Sequence, residues 1–403
     1  MSVFEESGQI RPPADERPCW LDVDLDAVSA NVRAVADLVG SGTRVCAVVK
    51  ANAYGLGATE VGQAALTAGA ERLAVARVDE AVQLRQAGIR APILLLTGFA
   101  PTEADTIVQY RITPTVVDVE GSILLARAAG RAGAVLDVHI KVDTGLTRFG
   151  APPEKVPDLV RLLRGLPTIW LEGLYTHFAS ADEPDSDFTE EQLHRLFAVV
   201  EVLKAIGWRP SLVHAANSAA ALREPTTWLH MVRLGIALSG HAPSLHVPRP
   251  VRLQPAVALR ARLLGVRDVE PGTSIGYGQT FIAERPMRVG LIPAGYADGV
   301  ARRHSNRAQA LLRGGRVPLV GRVSMDQCVV DITEIHDARP GDVVTLFGAD
   351  GADCISLDEF AAWSDTIVHE ALCRVGSRVP RRYARRGEVR WAWVAEPLAA
   401  AER

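Results

Sequence analysis

Eight short apolar runs, separated by polar or amphipathic stretches, constrain the fold of this chain more than any other feature of its sequence. They are Val45–Val49, Arg72–Ala76, Pro92–Leu96, Thr113–Val117, Leu136–Ile140, Leu171–Tyr175, Ser211–His214 and Met231–Ile236. Several of the intervals carry helical spacing of apolar residues, as in Ala58–Ala68, Asp79–Ala87, Gly121–Ala132, Val156–Leu163 and Glu190–Lys204. Near-continuous apolar strands alternating with helices predict a parallel sheet of βα units, covered on both faces. Eight such units close most economically into a (β/α)8 barrel, with the chemistry at the C-terminal ends of its strands.

From about Leu253 the pattern changes. Shorter β-rich runs (Ala258–Val266, Arg288–Ile292, Gln309–Leu312, Val329–Ile332, Val343–Phe347) are punctuated by turn signals such as Gly314-Gly315, which predicts a mostly β C-terminal domain. The stretch His241–Pro255, with four prolines, reads as the linker. The expected division is a polar extension over residues 1–19, the barrel over 20–252 and the β domain over 253–403. A chain of 403 residues that is 48% hydrophobic can fill two cores of that size.

Charge narrows the partners. With 44 Lys+Arg against 47 Asp+Glu and no long run of one sign, neither nucleic acid nor a membrane surface is an expected partner, and a small molecule is. No apolar run reaches the roughly 18 residues of a membrane span, and the opening MSVFEESGQIRPPADERP lacks the apolar segment of a secretory signal, so a cytoplasmic location is expected. The five cysteines are scattered without a CxxC pair, which predicts reduced thiols and no metal site.

The sharpest local signal is Ala47-Val-Val-Lys50-Ala-Asn-Ala-Tyr54-Gly55, where a lysine closes a buried strand at the catalytic rim. Desolvation there favours the neutral amine, the form that attacks an aldehyde. A lysine that snorkels to solvent is the other reading of this strand taken alone. The segment His139-Ile-Lys141-Val-Asp-Thr-Gly145-Leu-Thr-Arg148-Phe-Gly150 sets charges at the same rim, either to hold an anion or as a surface ion pair. His214-Ala-Ala-Asn217-Ser218 offers small polar donors where a helix begins, suited equally to a phosphate or to a helix cap. In Met231-Val-Arg233-Leu-Gly235-Ile236, Gly235 lets backbone amides approach a phosphate.

These motifs, in this order from about Trp20 to Tyr383, resemble the alanine racemases, enzymes that use pyridoxal phosphate (PLP) and pair a barrel with a C-terminal β domain. The resemblance implies that Lys50 holds PLP and acts as one base. It implies further that Tyr54 reaches the phosphate, that His177 of the Tyr175-Thr-His177 segment packs against the cofactor ring, and that Ser218 contacts the phosphate with Asn217, Gly235 and Ile236 around it. Arg148 is implied to bind the substrate carboxylate, with Lys141, often carbamylated in the family, positioning it. Arg233 is implied to face the pyridine nitrogen and keep it unprotonated.

Three β-domain segments complete the match: Ser274-Ile-Gly-Tyr277-Gly-Gln-Thr-Phe281, Gly295-Tyr296-Ala-Asp298-Gly299 and Gly321-Arg-Val-Ser-Met325-Asp326-Gln327. Racemisation needs a base on each face of the α-carbon. The resemblance assigns the second to Tyr277 of a partner chain, and hence implies a homodimer with shared sites, with Met325 at the substrate and Tyr296 and Asp326 supporting. Arg148 and His177 are the expected cationic neighbours of Tyr277. Two positions depart from the family pattern, Ser239 and His369, where tyrosines are usual. Either both changes lie outside the pocket and leave an ordinary alanine racemase, or they make a roomier, more polar pocket that admits serine or another small polar amino acid beside alanine; His369 stands where the family's phosphate-binding tyrosine is expected, as a cofactor contact of altered chemistry. The rivals are a decarboxylase of the same plan, which places a carboxylate where Arg233 stands, and a non-catalytic PLP-binding barrel, which lacks the β domain.

Overall fold

The computed structural model describes residues 17–393. Strand β1 (Cys19–Asp24) precedes eight strands that fall on the expected runs: β2 (Arg44–Val48), β3 (Arg72–Val75), β4 (Ile93–Leu95), β5 (Thr115–Val116), β6 (Leu136–Lys141), β7 (Ile169–Tyr175), β8 (Leu212–His214) and β9 (Met231–Leu234). These eight form two four-stranded parallel sheets, in the orders β4-β3-β2-β9 and β5-β6-β7-β8. Every residue of β3, β8 and β9 is buried, as strands covered on both faces must be.

The helices between them show how sequence sets the packing. Helix Val156–Arg164 buries Val156, Leu159, Val160 and Leu163, one stripe at helical spacing. It carries Asp158 in its first turn and Arg161 and Arg164 in its last, the arrangement that complements the helix dipole.

Register decides which residues become neighbours. Cys46 lies opposite both Arg72 and Arg233, and Tyr175 lies opposite both Lys141 and His214. The C-terminal ends of β6, β7 and β8 therefore present Lys141, Tyr175 and His214 side by side.

The remaining strands are β10 (Val257–Arg262), β11 (Gly265–Val269), β12 (Ser274–Ile275), β13 (Phe281–Ile282), β14 (Met287–Ile292), β15 (Gln309–Leu312), β16 (Gly315–Pro318), β17 (Cys328–Asp331), β18 (Val343–Asp350), β19 (Asp353–Ile355), β20 (Arg381–Arg385) and β21 (Glu388–Ala392). The larger sheet runs β16-β15-β18-β10-β1-β20-β21, with β19 on β18. A three-stranded sheet β11-β14-β17 and the hairpin β12-β13 complete this unit with two short helices, Leu357–Trp363 and Val368–Cys373.

Here the structure differs from the boundary expected at residue 20. Strand β1 pairs antiparallel with β10 and parallel with β20, so the described residues from 17 to 26 belong to the β unit, as does the short segment Tyr54–Gly57. The α/β unit comprises Ala27–Ala53 and Ala58–Gln254. The alternation in CWLDVD is too brief to announce a strand, and its polar residues find their role only across the sheet. Asp22 accepts from Arg260 of β10 at 2.8 Å and from Arg382 of β20 at 2.5 Å.

Arg381 anchors the Tyr54–Gly57 segment. It is 1% exposed and donates to the carbonyls of Gly55 (2.8 Å), Gly376 (2.7 Å) and Val375 (2.7 Å), as well as to that of Val379. Burial brings its pKa down to about 10, so it stays charged at neutral pH. Tyr383 adds its hydroxyl to the carbonyl of Leu56 at 2.9 Å. Among the described residues no helix is long and apolar enough to cross a membrane. Replacing Arg381 by Met would strand several carbonyls; a loss on the order of 3 kcal/mol in denaturant-derived stability is expected.

Candidate active site

Lys50 follows β2 and opens a turn that few sequences tolerate. Ala51, Asn52, Ala53 and Tyr54 have φ of 49°, 54°, 53° and 58°, four consecutive left-handed residues, none of them glycine. Such a backbone costs roughly 1–2 kcal/mol per residue and must be held from outside. Glu80 supplies much of that hold: one carboxylate oxygen accepts from the amide of Ala51 at 2.5 Å and the other from Ala76 (2.9 Å) and Arg77 (3.0 Å). Asn52 accepts from the amide of Ala58 at 2.7 Å, and the amide of Ala53 returns to the carbonyl of Val49 at 2.8 Å. Lys50 thus projects from a clamped point.

Arg233 is 2% exposed, and among the described residues no carboxylate pairs with it. Its Nη1 donates to Nδ1 of His214 at 2.8 Å, and its Nη2 to the carbonyls of Thr176 (2.9 Å) and Ala215 (2.8 Å) and to Nδ1 of His177 (3.1 Å). Its guanidinium lies 5.3 Å from the ring centre of Tyr175. Tyr175 is itself fixed, sharing a hydrogen bond of 2.8 Å with Thr115 and stacking on His214 at 4.6 Å.

Lys141 is 5% exposed, and its amine stands 5.4 Å from the ring of Phe149 and 5.7 Å from that of Tyr175. Burial, then Arg233 and Arg148, bring its pKa down to about 8. Arg148 sits exposed in a loop that Asp143 organises, accepting from the amides of Gly145 and Thr147 at 3.0 Å each. Burial and the charges of Arg233, Lys141, Arg148 and Lys50 hold His177 well below the ordinary histidine range. This corrects the expectation of a cationic His177: the imidazole is neutral, and since a guanidinium only donates, its Nδ1 is the acceptor and its proton lies on Nε2.

Asn217 caps helix Ser218–Arg223, accepting from the amide of Ala220 at 3.0 Å. The hydroxyl of Ser218 accepts from the amides of Gly235 (2.9 Å) and Ala237 (3.4 Å), which ties the turn after β8 to the turn after β9 and brings Ser218, Gly235 and Ile236 together. Ser239 is buried in the 3-10 turn Ile236–Ser239, where its hydroxyl donates to the carbonyl of Ile236 at 2.7 Å and lies 3.1 Å from Nδ1 of His241. That hydroxyl serves its own turn, which removes one of the two grounds for expecting a more polar pocket.

In the β unit the three matched segments converge through their backbones. A Cβ on Gly295 would lie 2.3 Å from the carbonyl oxygens of Ser324 and Met325, and one on Gly321 would lie 2.5 Å from that of Ile275, so only glycine permits these approaches. The amides of Tyr296 and Ala297 donate to the carbonyls of Ser324 and Met325 at 3.0 Å each. Arg378 bridges Asp298 (2.7 and 2.9 Å) and Asp326 (2.8 Å), and these carboxylates raise its pKa further. Tyr277, Tyr296 and Met325 stand 73%, 46% and 50% exposed, unusual for large apolar side chains. His369 lies 5.9 Å, ring to ring, from Tyr54.

A family model for the alanine racemase N-terminal domain matches residues 23–243, and one for the C-terminal domain matches residues 256–383. The chain belongs to the alanine racemase family. The alanine racemase of Desulfovibrio desulfuricans is 44% identical over 91% of this chain and 98% of its own length. The alanine racemase of Bacillus anthracis, solved with bound L-Ala-P, superimposes with a TM-score of 0.88 at 36% identity, over 94% of this chain and 98% of that one. A histidine racemase from Leuconostoc mesenteroides aligns at 28% identity with a TM-score of 0.86, over 94% of this chain and all of its own. The family architecture is a barrel followed by a β domain, and its members are amino-acid racemases.

The family cofactor, PLP, fits the residues present. Lys141 and His177 both register the positive charges of Arg233, Arg148 and Lys50, and a site this cationic suits an anionic phosphate and phenolate and a substrate carboxylate. Sequence reasoning gave no role to Glu80, Arg378, His139 or Glu172, although His139 opens the segment that carries Lys141 and Arg148; all four act through other residues. Glu172 accepts from Arg72 at 2.8 and 3.1 Å and lies 2.8 Å from Nε2 of His139. Burial alone would raise its pKa, yet these hydrogen bonds overcome that and hold it at about 2. A carboxylate with a depressed folded-state pKa stabilises above its unfolded pKa, and the contribution is lost as pH falls through the folded value. Glu172→Gln is therefore expected to lose on the order of 3 kcal/mol at pH 7, with the gap to the parent closing between about pH 4.5 and pH 2 in acid-unfolding curves.

Proposed function

We propose that this chain interconverts L- and D-alanine with PLP held at Lys50, in a homodimer whose sites each take Tyr277 from the partner subunit. When bound, PLP draws electron density from the substrate α-carbon and so acidifies its C–H bond. The chain's own residues do the rest. Lys50 takes or returns the proton on one face, and Tyr277 of the partner subunit does so on the other. Arg148 pairs with the substrate carboxylate beside Met325, with Tyr296 and Asp326 in support. Lys141 positions Arg148, and its depressed pKa leaves a neutral fraction of the kind that carbon dioxide converts to a carbamate.

Tyr54, Ser218, His369 and the turn at Gly235 and Ile236 would receive the phosphate, with Asn217 holding the helix beside it, and neutral His177 would pack on the ring. Arg233 would face the pyridine nitrogen. Because it stays charged it would not protonate that nitrogen, which would restrain electron withdrawal and favour clean proton exchange. The observation that carries this reading is Arg233, buried and held by four acceptors where a decarboxylase of this plan has a carboxylate.

The exposed Tyr277, Tyr296 and Met325 favour a partner that covers them. An eight-stranded barrel is supported by the parallel bridge Leu94–Thr113 on one side and, on the other, by amides of His230 and Arg233 that donate to the carbonyls of Val213 and Ala216 at 3.0 Å each. The five free cysteines fit a reducing cytoplasm.

Lys50→Ala is expected to abolish both the visible absorbance of the purified protein and alanine racemisation; retention of both would overturn the assignment. In deuterated water, Tyr277→Phe is expected to retain α-proton exchange from one enantiomer while kcat/KM for racemisation falls roughly 10²- to 10⁴-fold. Mixing the two variants should raise racemisation above that of either alone, through hybrid dimers with one intact site. No recovery after demonstrated subunit exchange would refute shared sites.

A further inference from the structure

From Arg233, four polar side chains run through the interior of the α/β unit in single file: His214, His139, Glu172 and Arg72. None belongs to the roles assigned above. We propose that Glu172, His139 and His214 are positioning residues that fix the direction of a hydrogen-bond relay and thereby hold the guanidinium of Arg233 in one orientation. The inference rests on the reading of Arg233 as the residue that faces the pyridine nitrogen.

The direction follows from what each group can do. A guanidinium has no acceptor, so Nδ1 of His214, 2.8 Å from Nη1 of Arg233, must present a lone pair. The proton of that neutral ring is then on Nε2, which lies 3.0 Å from Nδ1 of His139. His139 accepts there and carries its own proton on Nε2, 2.8 Å from Oε2 of Glu172. The ionised carboxylate only accepts, and it also takes both hydrogen bonds of Arg72. Nη1 of Arg72 is 3.5 Å from Nε2 of His139 but 3.1 Å from Oε2, so the carboxylate is its nearer acceptor. Every donor from Arg233 to Glu172 thus points the same way.

Reversal of the chain would put a proton on Nδ1 of His214, facing the guanidinium. Two donors at that distance repel, and Arg233 would have to leave His214. Glu172 forbids the reversal because it offers His139 no proton. Both imidazoles are fully buried, and burial together with Arg233 holds each below the ordinary histidine pKa, which keeps the relay neutral.

The packing is built around these rings. A Cβ on Gly173 would lie 2.6 Å from Cε1 of His139, so the glycine in β7 is what admits that imidazole. Tyr175 stacks on His214 with an interplanar angle of 6°, which sets the plane in which Nδ1 meets Arg233. An interior that served stability alone would gain from apolar residues at these positions, because a buried network stabilises less than the hydrophobic packing that could replace it.

The test uses the PLP-loaded protein labelled with 15N-histidine, and reads the tautomers of His139 and His214 from long-range 1H–15N spectra, assigned with His139→Asn and His214→Asn. Both rings are expected as neutral Nε2–H tautomers. An Nδ1–H tautomer or an imidazolium at either position in the parent protein would overturn the relay, and this measurement stands whatever the variants do. In Glu172→Gln the amide can donate to His139, so Nδ1–H is expected to appear there, with a shifted visible absorption of the bound cofactor and kcat lowered roughly 10-fold. Unchanged tautomers, absorption and kcat in that variant would overturn the proposal and leave the network as packing. A parent protein with the expected tautomers but no alanine turnover would instead overturn the proposed function, because the relay is read without substrate.

Discussion

The arrangement depends on one buried charge. Arg233 enters the interior of the α/β unit with no carboxylate paired to it among the described residues, and its positive charge is carried by two carbonyls and two imidazole lone pairs. Burying an ion in this way is tolerable only when its donors are satisfied, because an isolated charge in a low-dielectric interior costs several kcal/mol. The consequences spread outward. His177 and His214 must be neutral to accept from it, and Lys141, pressed by the same charge, is brought close to deprotonation at physiological pH. The nearest compensating carboxylate reached through these hydrogen bonds is Glu172, two imidazoles away.

A second constraint is the clamped turn after Lys50. Four left-handed residues in succession would relax if left to themselves, and Glu80 prevents it by joining the turn after β2 to the turn after β3. Strain of this kind concentrates where a side chain must be aimed. Ser218 does the same for the turns after β8 and β9, with a hydroxyl in place of a carboxylate. In both places a single side chain couples the ends of neighbouring strands.

The β unit is organised by close backbone approach. Gly295 and Gly321 let loops meet where any Cβ would collide, and Arg378 ties Asp298 to Asp326 across the same junction. Near this junction Tyr277, Tyr296 and Met325 stand exposed. A tyrosine in such a setting needs its orientation supplied by its neighbours, because its side chain has little packing of its own.

The sequence by itself determined the order of strands in the α/β unit, the change to β structure near Leu253 and the positions of the matched motifs, because apolar periodicity and glycine-rich turns are local signals. It could equally nominate Lys50, Lys141, Arg148, Arg233 and Tyr277, since each stands in a recognisable segment. Tertiary structure alone decided that Cys19–Asp24 joins the β unit, because the partners of Asp22 are Arg260 and Arg382, more than 200 residues away in the chain. It alone decided that His177 is neutral and that Ser239 turns inward, since both follow from burial and from donors on other elements. The file from Arg233 to Arg72 was illegible for the same reason. Its members come from five separate strands, β3, β6, β7, β8 and β9, and only the register of parallel strands sets them in line.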